Sequence, residues 1–396
     1  MPKFIGGLRL SELFYEEAVR PILASAFPAL AHSAALIGAG SEVLGYDTPL
    51  STDHDWGPRL VLFLAAHEYD AYASRVREAL SGALPRNFHG YSTHFGPPDR
   101  EGVRLRDETA GPVDHRVEVH TVGGFFATRL GFDPSGEVRP ADWVGVPEQT
   151  LLDLTAGAVY HDGLGELTPL RARLSYYPRD VWLYLMAAQW RRIAQQEAFV
   201  GRAGDVGDEL GSTLIAASLV RDLMRVCFFI ERRYAPYSKW FGTAFARLAC
   251  GPALGPLLER TLRASQWRER EGRLTRAYEA VAALHNGLDL TLPIETAVSS
   301  YHTRPYQVIH AETVADALIG AIMDPTVRVF PDCGAVDQLS DSTDLLGYPE
   351  VRGRLRALYE LQQQAQPTQA RARASSTRSR AVRWSGGGRP GIRRAP

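Results

Sequence analysis

The period of the apolar residues changes near Pro147, and this change constrains the fold more than any other feature of the chain. Before it, apolar runs have the length of strands: AALIG ends at Gly38, RLVLFL spans residues 59–64, and HRVEVH alternates strictly. RLVLFL is apolar throughout, as befits a strand buried on both faces. In the alternating run Arg116, Glu118 and His120 share one face and Val117 and Val119 the other, because successive side chains of a strand point to opposite sides. Two stretches here have helical spacing, SELFYEEAVRPILASAF and AAHEYDAYASRVREAL, and residues 85–112 have the glycine, proline and polar content of a long loop, with a short strand at Val103 to Leu105. After Pro147 most of the chain runs in multi-turn helical patterns. In DELGSTLIAASLVRDLMRVCFFIERRY, Leu219, Leu223, Val226 and Ile230 form one stripe of a central bundle helix. The predicted fold is therefore α+β: a small mixed β-sheet domain over residues 1–147, an α-helical bundle domain over 148–363, and a tail over 364–396.

The tail holds eight of the 44 basic residues and none of the 45 acidic ones, so the body carries a net charge of about −9. Rich in Ala, Ser, Gly, Pro and Arg, the tail cannot repay ordering entropy by burial and is expected to be disordered. Nucleic-acid contact is expected only through this tail, by way of phosphates. Three widely spaced cysteines, Cys227, Cys250 and Cys333, suggest neither a disulfide framework nor a zinc site. With no signal peptide and no apolar run of membrane-spanning length, the expectation is a cytoplasmic protein without membrane association.

The stretch GAGSEVLGYDTPLSTDHDWGP, residues 38–58, holds the richest chemistry. A dinucleotide fingerprint needs GxGxxG running from a strand into a helix, and Gly38, Gly40 and Gly45 are wrongly spaced for that. A histidine-aspartate metal site at His54-Asp55 needs a helix, which Gly57-Pro58 prevents from continuing; His161-Asp162 has the same weakness. A solvated turn without chemistry remains open. The fourth reading sets Asp53 and Asp55 side by side on one strand face, where a divalent cation relieves their repulsion and binds substrate phosphates. A third carboxylate is then expected on an adjacent strand, and Glu118 on its polar face fits.

Gly40-Ser41, the Asp53-His54-Asp55-Trp56 run and Glu118 together resemble the nucleotidyltransferase superfamily of DNA polymerase β and the aminoglycoside adenylyltransferases. The wider wording, with YSKWFGTAF and DQLSDSTDLLG downstream, is similar to the bacterial family described as domain of unknown function 4037, over roughly residues 5–360. The resemblance implies that Gly40 and Ser41 cap a short helix and meet the β,γ-phosphates of a nucleoside triphosphate, most simply ATP. It implies that Asp53, Asp55 and Glu118 hold one or two magnesium ions, with Glu118 as the alternative proton acceptor, and that a nucleoside monophosphate passes to an acceptor hydroxyl, expected to be that of a small molecule, with release of pyrophosphate.

Lysine occurs only at Lys3 and Lys239. Lys239 opens a helix beside Tyr234, Tyr237, Trp240 and Phe241, where an ammonium opposes the helix dipole unless an anion joins it. Lys239 is thus a candidate nucleotide-binding residue, with the aromatics as stacking partners. A surface lysine beside packed aromatics is the plainer reading. Arg221 and Arg225 are expected to pair with acids such as Asp222 and Glu231, the aspartates of DQLSDSTDLLG to serve capping and turns, and His89, Tyr91 and His94 to be candidates for a lid. A second class of function stays in view: a catalytically silent nucleotide- or partner-binding protein with the same fold.

Overall fold

The computed structural model describes residues 3–100 and 102–360; the basic tail expected at 364–396 lies outside them. Four strands make one mixed sheet: β1 (His32–Leu36), β2 (Arg59–Leu64), β3 (Arg116–His120) and β4 (Ala158–Asp162), in the order β3-β2-β1-β4. β1 runs antiparallel to both β2 and β4, and β2 parallel to β3, with Val61 opposite Glu118. The parallel pair is joined through helix α1 (Ala66–Ala83), the crossover that parallel strands require.

β2 is buried along its whole length, as an apolar strand with both faces covered must be. Its residues divide by the two-residue period. Leu60, Leu62 and Leu64 join Val117, Val119 and the α1 residues Ala73, Val76 and Leu80 in one core, together with Leu10, Phe14 and Val19 of the helical run 7–26. Val61 and Phe63 enter a second, larger core with Phe125, Phe126 and the helical region. The valines of β3 belong to the first core, so its polar residues Arg116, Glu118 and His120 stand on the face covered by the helical region.

Beyond β3 come α2 (Val122–Leu130), α3 (Glu148–Thr155), α4 (Arg179–Gln196), α5 (Glu209–Ile230), α6 (Ser238–Ala246), α7 (Gly251–Arg263), α8 (Trp267–Asn286) and α9 (Ala311–Gly320). α4 is buried on almost every side between α5 and α9. Leu219, Leu223, Val226 and Ile230 of α5 are buried as one stripe.

Three sequence expectations change. The sheet does not end by residue 147, because β4 lies at 158–162; its burial is only partial, and a short edge strand with tyrosine, histidine and aspartate carries no apolar alternation. Val103 to Leu105 form no strand; the ladder contact there is a single bridge between Phe95 and Arg106. Asp53 and Asp55 are not on a strand. Pro49–Asp53 is a 3-10 turn, Asp55 adopts a left-handed backbone with φ 47°, Gly57 has φ 151°, and β2 starts only at Arg59. Proline and a left-handed glycine together stop the strand from reaching back to the acids.

Candidate functional site

The bend at Gly38–Ser41 follows β1. Gly38 has φ 100° and Gly40 φ 143°, and a Cβ on Gly40 would collide with Arg59 Nη2 and with Glu42. Arg59 and Glu42 form a buried ion pair at 2.6 Å, and Arg59 Nη2 also donates to the Ala39 carbonyl at 2.6 Å. Glycine at 40 therefore lets a buried salt bridge pass against the backbone. Residues 41–45 form hydrogen-bonded turns, with Gly45 N–H donating to Glu42 O and Tyr46 N–H to Ser41 O, so the helix expected to begin at Gly40-Ser41 is absent. Among the described residues the N–H groups of Ala39, Gly40 and Ser41 have no acceptor. Consecutive unfilled N–H groups beside glycines of positive φ are the raw material of an anion nest.

The bend rests on α3. Gly38 N–H donates to the Asp153 carbonyl at 2.8 Å, and Gln149 Nε2 donates to Asp153 Oδ1 at 2.6 Å. Gln149 Oε1 accepts the Tyr237 N–H at 2.8 Å, at the start of α6. Trp240 of α6 stacks on Tyr46 with ring centroids 5.1 Å apart, and Arg247 covers the Tyr46 ring while donating to Gly45 O. Three segments far apart in sequence thus converge on the bend: the end of α2, where Arg129 Nε would lie 3.8 Å from a Cβ on Gly38, α3, and the N-terminus of α6.

Glu118 faces the same side. His120 Nε2 donates to it at 3.1 Å, and this hydrogen bond holds its carboxyl below the usual range against the opposing effect of burial; the charges of Arg129 and Arg59 add to the lowering. Asp55 is tied to the same strand face by another route: its Oδ1 accepts from Arg116 Nη1 at 2.6 Å and from the Arg104 N–H at 3.3 Å. Asp53 turns away. It is exposed and bonds its own neighbour His54 at 2.9 Å, which lowers its pKa. Among the described residues no group of three or more His, Cys, Asp or Glu is placed to hold a metal ion. As arranged, Asp53, Asp55 and Glu118 do not fit a magnesium pair.

Lys239 is exposed on the first turn of α6, with its ammonium 5.1 Å from the centre of the Trp240 ring and no acidic partner among the described residues. Trp240 is taken up by Tyr46, Phe241 by Phe228 and Tyr234 by the Leu174 carbonyl, which leaves Tyr237, 43% exposed, as the available aromatic. The loop residues proposed for a lid are structural: His89 pairs with Glu17, His94 Nδ1 accepts the Asp114 N–H, and Tyr91 is buried against Trp56. Arg221 and Arg225 do pair with acids, but with different ones. Arg225 meets Asp337 at 2.7 Å and Glu148 at 3.3 Å, and Arg221 meets Asp341 at 3.3 Å. Asp337 also accepts the Glu148 N–H that opens α3, a capping role from a distant segment.

Sequence reasoning missed Arg129, Asp153 and Gln149. The available signal was polarity in apolar helices: Asp153 interrupts TLLDL, and Arg129 stands next to last in GGFFATRL. Asp153 is largely buried, and that burial pushes its pKa up to about 7 against the Gln149 hydrogen bond and the charge of Arg129.

An α+β protein whose small sheet is roofed by helices, with a glycine bend after its first strand and a half-exposed glutamate on its third, is the class defined by fold and site. Within it, residues 143–241 match the model of a family described as Domain of unknown function (DUF4037). The matched stretch includes Gln149, Asp153 and Lys239 and excludes Gly40, Ser41, Asp53, Asp55 and Glu118. No curated protein and no solved structure matches the chain. No helix among the described residues is long and apolar enough to cross a membrane.

Proposed function

We propose that the chain binds a nucleoside triphosphate between the Gly38–Ser41 bend and the N-terminus of α6 and transfers its nucleotidyl group to an acceptor hydroxyl. The observation that carries this reading is the convergence, through Gly38–Asp153, Gln149–Tyr237 and Tyr46–Trp240, of unfilled backbone N–H groups with an unpaired lysine. Both groups suit a polyanion. In the reaction the acceptor oxygen bonds to the α-phosphorus as the bond to pyrophosphate breaks, and the hydroxyl proton passes to a base. Glu118 is ionised and half-exposed on the facing strand, which suits that role. ATP is the simplest donor, and the acceptor is a small molecule in this reading.

Magnesium is the cofactor that the three acids imply in the nucleotidyltransferase resemblance. Its binding requires Asp55 to leave Arg116 and Asp53 to leave His54. That same Asp55–Arg116 pair favours a second reading, a nucleotide- or partner-binding protein without catalysis.

Pyrophosphate release with ATP, CTP, GTP or UTP and a small-molecule extract separates the two. Transfer predicts release by the wild type and a fall of roughly 10²–10⁴-fold in Glu118→Gln, the ordinary contribution of a general base, with nucleotide affinity retained. Binding of intact nucleotide without release supports the silent reading. No binding of any nucleotide sinks both forms of the proposal that involve one.

A further inference from the structure

Arg129 lies at the end of α2 in a position that its structural contacts do not account for. Its guanidinium lies over the Phe125 ring, 3.5 Å from the centroid, and Nη1 donates to the Phe125 carbonyl at 3.2 Å. Phe125 is itself fixed in the core against Phe63 and His120. The plane of the guanidinium is thereby set. It lies beside the glycine bend: a Cβ built on Gly38 would be 3.8 Å from both Nε and Nη2.

Glu118 and Asp153 act on Arg129 through their charge, yet among the described residues neither forms an ion pair with it. A partly buried guanidinium has five N–H donors and ordinarily fills them with a carboxylate or phosphate fork. Here two carboxylates are within electrostatic reach and, among the described residues, the donors beyond Nη1 have no hydrogen-bond partner. Three backbone N–H groups in the adjoining bend are unfilled as well.

We propose that Arg129 receives a phosphoryl group of the bound nucleoside triphosphate against the Gly38–Ser41 bend, an assignment that rests on the nucleotide reading of this cleft. Arg129 holds the phosphate from the end of α2, and Lys239 is carried by the first turn of α6. The stacked, planar fork makes the recognition geometric, which an ammonium at the same place cannot reproduce.

The test is calorimetric titration of the full chain with inorganic tripolyphosphate and, separately, with ATP plus magnesium. Arg129→Gln is expected to weaken both by roughly ten-fold to a hundred-fold, as loss of hydrogen bonds to a charged group does. Arg129→Lys, which keeps the charge and lacks the fork, is expected to bind tripolyphosphate at least about three-fold more weakly than wild type and to melt as wild type does, so it carries the test if the glutamine variant fails to fold. A purely structural arginine would change melting and leave both affinities alone; wild-type affinity for both ligands in the folded variants overturns the proposal. Tripolyphosphate binding that depends on Arg129, in a protein that transfers no nucleotidyl group, supports the anion site and defeats the transfer reading. Transfer that persists with unchanged ATP affinity in Arg129→Gln does the reverse.

Discussion

At the scale of single residues, the site is a set of charges placed by backbone exceptions. Gly40 gives way to the Arg59–Glu42 pair, and Asp55 occupies a left-handed conformation that points its carboxylate at Arg116. The pairing of Asp53 with Asp55 was legible as composition but not as geometry, because i and i+2 share a face only where the backbone is extended. Asp153 was legible only as a polar interruption of TLLDL, and not in its role, because a lone acid in an apolar helix has the same appearance whether it meets solvent or another element. Its raised pKa has a measurable consequence. The unfolded carboxyl titrates near its ordinary value and the folded one near 7, so the folded state holds an extra proton between them. Stability from this group is complete below the unfolded pKa and is lost as pH rises through about 7. Asp153→Asn, which keeps an acceptor for Gln149, should therefore match the wild-type melting temperature near pH 4 and exceed it at pH 8. Parallel melting curves for the two proteins across that range would contradict this account of Asp153.

At the scale of elements, the two-residue period made β2 and β3 readable, including the face that carries Glu118, and the 3.6-residue period made α1 and α5 readable. β4 escaped because an edge strand that is only partly buried imposes no alternation on its sequence. The partners of Arg225 escaped for a different reason. Asp337 and Glu148 are separated from it by 112 and 77 residues, and local spacing contains no information about them. These three side chains join α5, α3 and the segment 336–339 in a site almost closed to solvent, with exposures of 15%, 9% and 2% for Arg225, Asp337 and Glu148. Burial dominates at Glu148 and pushes its pKa up to about 7 in spite of the arginine. Removing the cation leaves two buried acids facing each other. Arg225→Ala should cost about 3–5 kcal/mol in denaturant unfolding, whereas a loss below about 1 kcal/mol would mean that solvent reaches the network.

At the scale of the whole molecule, the sheet and the helical region are not independent bodies of structure. β4 comes from beyond residue 147, and Ala35, Ile37, Val61 and Phe63 share a core with α2, α4 and α5. The change of period near Pro147 marks where helices begin to dominate, which is a different thing from where a folding unit ends. A fragment of residues 1–147 lacks an edge strand and the cover for one sheet face, and it should unfold without a cooperative transition; a sharp calorimetric transition in that fragment would show a self-sufficient domain. The same interlocking sets the glycine bend against α3, places Arg129 beside Gly38 and ties the start of α6 to Gln149 and Tyr46, and nucleotidyl transfer is the chemistry proposed there. The most direct measurement follows the two ends of the triphosphate separately, with ATP labelled on the α- or the γ-phosphate and supplied to the protein together with a small-molecule extract. The account predicts that the α-label moves to an acceptor, the γ-label leaves in pyrophosphate, and both movements fail in Glu118→Gln. Recovery of the γ-label on the acceptor or as free phosphate, or of both labels in intact nucleotide, would contradict it.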